Sequence, residues 1–153
     1  MRSRAIYHYN DAMANFFTAY KFQSGYHLRY TFTKIIKHHL KALDYDILVP
    51  VPVTIETLNR RGFDHVRGLL GSIKITPLLI CSEATKPSLV HQGRQARLKA
   101  QQPFIFNRKL EPSRTNRICV FDDVYTTGRT MHHAMMVLKA QGYQHIQGLT
   151  LAR

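Results

Sequence analysis

The chain has 153 residues, 44% of them hydrophobic, which is enough to bury the core of one domain and excludes a disordered tail. With 22 Lys and Arg against nine Asp and Glu, the formal charge is +13, which predicts an anionic partner: a nucleotide, a nucleic acid or acidic lipid. No apolar run predicts membrane insertion, and no leader pattern predicts secretion. The two cysteines are too few for a disulfide framework or a four-cysteine zinc site. We therefore expect a globular domain in the cytoplasm.

The first third of the chain predicts a helical part over about residues 8–44. Asn10 or Asp11 can cap a first helix that runs to about Phe22, where apolar residues recur every three or four positions, and Gly25 ends it. A second helix is predicted after it, with one apolar face and an opposite face of Lys and His. Its apolar residues are Leu28, Phe32, Ile35, Ile36 and Leu40.

Short apolar runs predict strands from residue 46 onward, and they alternate with helical patterns. This alternation is typical of a mostly parallel sheet with helices on both faces. We therefore predict one α/β domain over 1–153, with its core over about 46–153. The polar segment 82–102 is long for a compact domain and predicts a mobile functional loop. Strands are expected at 46–52, 78–81, 104–106, 118–121 and 146–151, and helices at 62–73 and 128–141.

The segment 118–130 combines a strand, an acidic pair and a small polar loop before a helix. The acidic pair is Asp122 and Asp123, two of only nine acidic residues, and the loop is Thr126-Thr127-Gly128-Arg129-Thr130. Ligands of open parallel sheets bind at the carboxyl ends of strands, where the loop offers amides, hydroxyls and a helix N-terminus to a phosphate. Gly128 would allow a close approach. The carboxylates could then bind the hydroxyls of a ribose 5-phosphate; alternatively, the acids only end a strand and the loop only makes a turn.

This segment resembles the phosphoribosyl-pyrophosphate (PRPP) motif of type I phosphoribosyltransferases, in which an apolar strand, two acids, two further residues and T-T-G-x-T follow one another. The Walker and Rossmann patterns are excluded, since the chain has neither Gly-Lys-Ser/Thr nor G-x-G-x-x-G. The resemblance implies a type I phosphoribosyltransferase fold, a mostly parallel sheet flanked by helices, preceded here by N-terminal helices. It implies that Asp122 and Asp123 bind the ribose of PRPP and that the loop 126–130 binds its 5-phosphate.

A second pattern narrows the resemblance to the ComF family. Val49-Pro-Val-Pro52 followed by Arg61-Gly-Phe-Asp-His65 is similar to the V-P-V-P and R-G-F-N-Q patterns of that family, and the resemblance extends over about residues 7–152. Two departures stand out. Asp64 and His65 replace the usual Asn-Gln pair, and the amino-terminal four-cysteine zinc module of the family is missing, as expected for a shortened piece or a short member.

Two basic segments are candidates for phosphate binding. Type I enzymes hold pyrophosphate on a flexible loop after the first buried strand, which would place Arg60 and Arg61 of the polar connection 54–61 at the pyrophosphate. Arg94 and Arg97 resemble the basic mobile loop that closes over the reacting sugar. These two residues and Lys99 are also candidate DNA-binding residues; a solvated surface is the alternative for both segments. No direct metal ligand is expected, because Mg²⁺ would arrive with the phosphates of PRPP.

The ComF resemblance implies a role in natural competence, in the uptake of single-stranded DNA for transformation. The setting would be cytoplasmic, or the inner face of the membrane through partners, beside a helicase-like ATPase. The charge of +13 agrees with DNA binding. The alternatives are a metabolic enzyme that transfers ribose 5-phosphate from PRPP to a nitrogenous base, and a PRPP sensor without turnover. The sequence names no acceptor base, and it leaves the role of Tyr125, between the acids and the loop, open.

Overall fold

The computed structural model describes residues 2–82 and 103–153, and its centre is a four-stranded parallel sheet. The elements in chain order are β1 (Arg2–Tyr7), α1 (Asp11–Phe22), a 3₁₀ turn (Tyr26–Arg29), α2 (Tyr30–Lys41), β2 (Ile47–Pro50), α3 (Ile55–Arg61), α4 (His65–Leu70), β3 (Leu79–Cys81), β4 (Phe104–Phe106), β5 (Ile118–Val124), α5 (Arg129–Ala140) and β6 (Ile146–Ala152).

The strand order of the sheet is β1-β6-β5-β2, and each neighbouring pair is parallel. Val49 of β2 lies beside Val120 of β5, and Asp122 of β5 lies beside Thr150 of β6. The carboxyl ends of the strands therefore meet at one edge, where the acidic pair is located. Strands β3 and β4 form a separate antiparallel pair, with Ile80 opposite Ile105.

Helices cover both faces of the sheet, because residues on β2 and β5 alternate between two apolar cores. Val49 and Val120 face α5 and the β3–β4 pair, whereas Leu48 and Phe121 face α1, α2 and α4. Burying each such side chain contributes roughly 1.5–3 kcal/mol. The first core also contains Met131, Met135, Leu138 and Tyr143, and the second contains Phe17, Tyr20, Ile36, Leu40 and Leu69.

Two predictions made from the sequence need correction. The core boundary at residue 46 omitted β1, which pairs with β6 from Arg2↔Gln147 to Tyr7↔Ala152. This strand is at the edge of the sheet and its burial alternates, so it lacks the continuous apolar run by which the central strands were recognised.

The second correction concerns the segment 54–61, which was predicted to be a polar connection and is a helix in the structure. The Thr54 hydroxyl accepts from the Thr57 amide at its start, and Gly62 ends it in a left-handed conformation. In the part of the chain described, no helix has the length and apolarity needed to cross a bilayer.

Candidate functional site

The acidic pair lies at the end of β5 and is buried, with Asp122 7% and Asp123 6% exposed. Local hydrogen bonds orient both carboxylates. The Asp123 amide donates to Asp122 Oδ1 over 2.9 Å, and the Val124 amide donates to Asp123 Oδ1 over 2.7 Å. Each carboxylate thus accepts a bond from the next residue along the chain, which leaves Oδ2 of Asp123 to face other elements.

Two cationic side chains and one imidazole surround Asp123. Lys21 of α1 forms an ion pair with Asp123 Oδ2, and Nε2 of His65 lies 3.5 Å from the same oxygen. Arg61 at the end of α3 donates to Nδ1 of His65 over 2.7 Å. The Tyr20 hydroxyl donates to the His65 carbonyl over 2.7 Å. This last bond joins α1 to the start of α4 and so brings Lys21 and His65 to the same carboxylate.

The pKa values of the two carboxyl groups are shifted in opposite directions. Burial, and then the charge of Asp123, raise the pKa of Asp122 well above its usual value. Burial also acts on Asp123, but the Lys21 ammonium and His65 outweigh it and lower the pKa of that carboxyl. The negative charge of the pair is therefore favoured on Asp123, where Lys21 compensates it.

His65 is neutral in this setting. Burial lowers the pKa of its imidazole to about 4 against the opposing charge of Asp123, and the charges of Arg61 and Lys21 act in the same direction as burial. Arginine can only donate, so Nδ1 of His65 accepts from Arg61 and the ring proton is on Nε2, which faces Asp123.

A cavity of about 420 Å³ lies at this edge of the sheet and brings together residues from distant parts of the sequence. Five of the predicted site residues line it: Asp122, Asp123, Thr126, Thr130 and Arg61. Thr127, Gly128 and Arg129 belong to the same loop but are not lining residues, and Arg60 is exposed outside the cavity. Arg94, Arg97 and Lys99 lie outside the described residues.

The loop 126–130 has a left-handed residue at its centre. Gly128 has φ +75° and is the N-cap residue of α5, so the cap residue itself offers no side chain to the first-turn amides, and the Arg129 amide donates to the Thr127 hydroxyl over 3.4 Å. A Cβ on Gly128 would come within 2.3 Å of the Tyr125 hydroxyl. The loop therefore needs a glycine here because the Tyr125 ring lies close to Gly128. The sequence had left the role of this ring open.

Arg60 and Arg61 were expected together on a flexible loop, and the structure separates them. Both lie in the last turn of α3, where successive side chains point in different directions. Arg61 is half-buried, with its guanidinium 5.3 Å from the Phe22 ring centroid, and its Nε is buried without a hydrogen-bond partner among the described residues. The helix thus directs one arginine into the cavity and the other into solvent.

Sequence reasoning missed Lys21 and His65 as site residues. Lys21 is the single basic residue of the first helix and lies outside the motif that contains the acidic pair, and only the packing of Tyr20 against α4 shows that it enters the site. His65 was noted as a departure from the family pattern, which was a usable signal. Its neighbour Asp64 caps α4 by accepting from the amides of Val66 and Arg67, as an Asn would.

The described residues do not form a direct site for Mg²⁺. Over 2–82 and 103–153, no group of three His, Cys, Asp or Glu side chains is arranged to hold a metal. Asp123 is paired with Lys21, and burial raises the pKa of Asp122, which disfavours the charged carboxylate that a metal ion would bind. This donor set fits an ion that would be held by ligand phosphates rather than by the protein.

The fold has a counterpart among solved structures. The solved structure of an allosteric regulatory enzyme of purine biosynthesis matches 82% of this chain and 26% of its own, with a TM-score of 0.52 at 14% identity. The parallel sheet flanked by helices is the type I phosphoribosyltransferase fold, as predicted.

Sequence comparison identifies closer relatives. Competence protein ComFC of Streptococcus pneumoniae is 29% identical over 150 residues, which are 98% of this chain and 67% of that protein. Competence protein ComFC of Bacillus subtilis is 26% identical over 147 residues, 92% of this chain and 59% of that protein. The chain is thus a relative of the ComFC competence proteins and spans about two thirds or less of their length. No family profile matches it.

Proposed function

We propose that the chain binds PRPP or ribose 5-phosphate in the 420 Å³ cavity. The observation that carries this proposal is that the acidic pair and two threonines of the loop 126–130, predicted from sequence to bind ribose and phosphate, line one cavity at the carboxyl edge of the sheet. These threonines, Thr126 and Thr130, offer hydroxyls beside the N-terminus of α5, which favours an anion.

The opposite pKa shifts of the acidic pair suit a sugar diol. Lys21 favours the ionised form of Asp123, which accepts hydrogen bonds only, whereas burial favours the protonated form of Asp122, which can both donate and accept. Two vicinal hydroxyls could therefore each find a partner without placing two buried negative charges side by side. This arrangement supports ribose as the bound sugar.

If the site turns over, the reaction is displacement of pyrophosphate from the anomeric carbon by a nitrogen nucleophile. Mg²⁺ bound to the pyrophosphate would supply charge neutralisation of the leaving group. The residues of the chain then act by positioning: the acidic pair orients the ribose, the loop 126–130 fixes the 5-phosphate, and Arg61, which lines the cavity, stabilises negative charge on the pyrophosphate. A PRPP sensor would need the same contacts without an acceptor.

We propose natural competence as the setting, with a role in the cytoplasmic handling of single-stranded DNA beside a helicase-like ATPase. The similarity to two ComFC proteins supports the setting. The charge of +13 supports the nucleic-acid partner, because neutralising phosphates releases counterions.

Isothermal titration of the chain with PRPP and Mg²⁺, with ribose 5-phosphate and with a single-stranded oligonucleotide tests both parts. We expect binding of PRPP and of the oligonucleotide at separate sites, so that each binds in the presence of the other. Absence of binding by both sugar phosphates would refute the ligand assignment. Release of pyrophosphate only when a free base is added would instead establish the metabolic transferase.

A further inference from the structure

Lys21 is the one basic residue of α1, and it reaches the candidate site from the last turn of that helix. Its side chain lines the 420 Å³ cavity and is 15% exposed, with Nζ paired to Asp123 Oδ2 and 4.6 Å from the Phe17 ring centroid. A lysine in this place is part of the site in the free protein, although the sequence motif around Asp123 does not include it.

The ion pair uses the oxygen that a sugar would need. Asp123 Oδ1 already accepts from the Val124 amide, and Oδ2 faces Lys21 and His65. A ribose hydroxyl that donates to Oδ2 must therefore displace the ammonium or share the oxygen with it. Lysine carries a compact charge on a flexible four-carbon stem, so its end can move while α1 stays in place.

A displaced ammonium needs a new anion, because a buried charge without a partner is costly. The cavity already carries a second cation, since Arg61 lines it, contacts the same His65 that faces Asp123, and keeps a buried Nε without a partner among the described residues. An anionic group located between Lys21 and Arg61 would satisfy both. Ribose 5-phosphate brings no such group to its anomeric end, whereas PRPP brings a pyrophosphate.

We propose that Lys21 is a specificity residue that makes the cavity prefer PRPP to ribose 5-phosphate. In the free protein Lys21 neutralises Asp123; when ribose takes Asp123, Lys21 transfers to the pyrophosphate. Ribose 5-phosphate breaks the ion pair without replacing it and binds weakly. This inference rests on the proposed function, because it assumes that the sugar binds at Asp122 and Asp123.

The test is titration of both ligands into the wild type, Lys21→Met and a matched control, Lys37→Met, at constant free Mg²⁺. Lys37 is exposed on α2 and is not a lining residue of the cavity, so its variant makes the same charge change elsewhere. In Lys21→Met we expect PRPP to bind at least tenfold more weakly and ribose 5-phosphate to bind equally or more tightly. The affinity for PRPP divided by the affinity for ribose 5-phosphate should fall at least tenfold in Lys21→Met. In Lys37→Met this ratio should stay within twofold of the wild-type value.

Equal weakening of both ligands would mean that Lys21 is structural, and equal tightening would mean that it only competes for Asp123; either result overturns the inference. If the wild type binds neither ligand, the proposed function fails and the inference fails with it. If Lys21→Met does not fold, acetylation of wild-type Lys21, followed by mass spectrometry, replaces it. The reaction should be faster with ribose 5-phosphate bound than with PRPP bound, and equal rates would overturn the inference.

Discussion

The guanidinium of Arg61 donates a hydrogen bond to Nδ1 of His65 over 2.7 Å, and this contact determines which imidazole nitrogen carries the proton. With the proton on Nε2, the ring faces Asp123 as a neutral donor. The two residues are four positions apart, at the end of α3 and the start of α4, so the turn between these helices brings them into contact.

The neutral state of His65 makes the stability of the chain depend on pH. The pKa of His65 is about 4 in the fold and about 6.5 in an unfolded chain, so between these values the unfolded state binds more protons. The free energy of unfolding should be independent of this group above pH 6.5 and should fall by up to about 3 kcal/mol as the pH drops to 4. Urea unfolding of the wild type and of His65→Gln between pH 4 and pH 7 measures this dependence of the free energy of unfolding on pH. Parallel pH profiles of the two proteins would contradict the lowered pKa of His65.

The two aspartates should respond differently to amide substitution. Burial disfavours the charged form of Asp122, and no cation is paired with this carboxyl among the described residues, so Asp122→Asn should lower the free energy of unfolding less than Asp123→Asn does. Asp123→Asn leaves Lys21 largely buried without its anion and should cost about 1–3 kcal/mol, less than for a fully buried pair because Lys21 retains some exposure. Chemical unfolding at pH 7 compares the two variants, and equal costs would refute the assignment of the negative charge to Asp123.

Removal of both carboxyl groups should abolish ligand binding. A hydrogen bond to a charged group contributes roughly 1.5–3 kcal/mol, so loss of the Asp123 charge alone should weaken PRPP binding at least tenfold, and Asp122→Asn with Asp123→Asn should weaken it further. The matched control is Glu56→Gln with Glu111→Gln, which removes two exposed negative charges away from the cavity. Titration calorimetry compares the pairs; the ribose assignment is wrong if PRPP affinity is the same in both.

Gly128→Ala should perturb the loop by more than backbone strain alone. The left-handed backbone costs a non-glycine residue about 1–2 kcal/mol, and the new Cβ would also meet the Tyr125 ring. Gly62→Ala is the control, because Gly62 has a similar φ of +79° and no atom within 4 Å of an added Cβ. Thermal unfolding should show a larger loss for Gly128→Ala, and Tyr125→Ala should reduce the difference. Equal losses would mean that the ring moves aside freely.

Binding of single-stranded DNA should depend on salt and on the segment that contains Arg94, Arg97 and Lys99. Changing these three residues to Glu should weaken binding and flatten the log–log salt slope, by roughly 0.7 for each DNA phosphate that the protein no longer neutralises. The control changes three exposed lysines of α2 to Glu: Lys34, Lys37 and Lys41. Fluorescence anisotropy at several salt concentrations distinguishes a local contact from a general effect of net charge. If only net charge attracts the DNA, binding should weaken equally in both triple variants.

The local parts of the site could be predicted from sequence, and the parts that depend on packing could not. Asp122, Asp123 and the loop 126–130 are contiguous, so strand, acids and helix start were visible as one pattern. Lys21 and His65 join them only because α1 packs on the second core and Tyr20 contacts the start of α4. In the same way, the central strands were recognisable by continuous apolar runs, whereas β1 gave no such run at the edge of the sheet.

The pairing of β1 with β6 has a consequence for synthesis on the ribosome. β1 precedes every other element of the described sheet, yet among the described residues its hydrogen-bonded neighbour is the strand 146–152, about 140 residues later. At roughly 5–20 residues per second, β1 waits on the order of 10–30 s with unpaired backbone groups. Its exposed Arg2 and Arg4 suit that interval, because charged side chains on an edge strand discourage association with other chains.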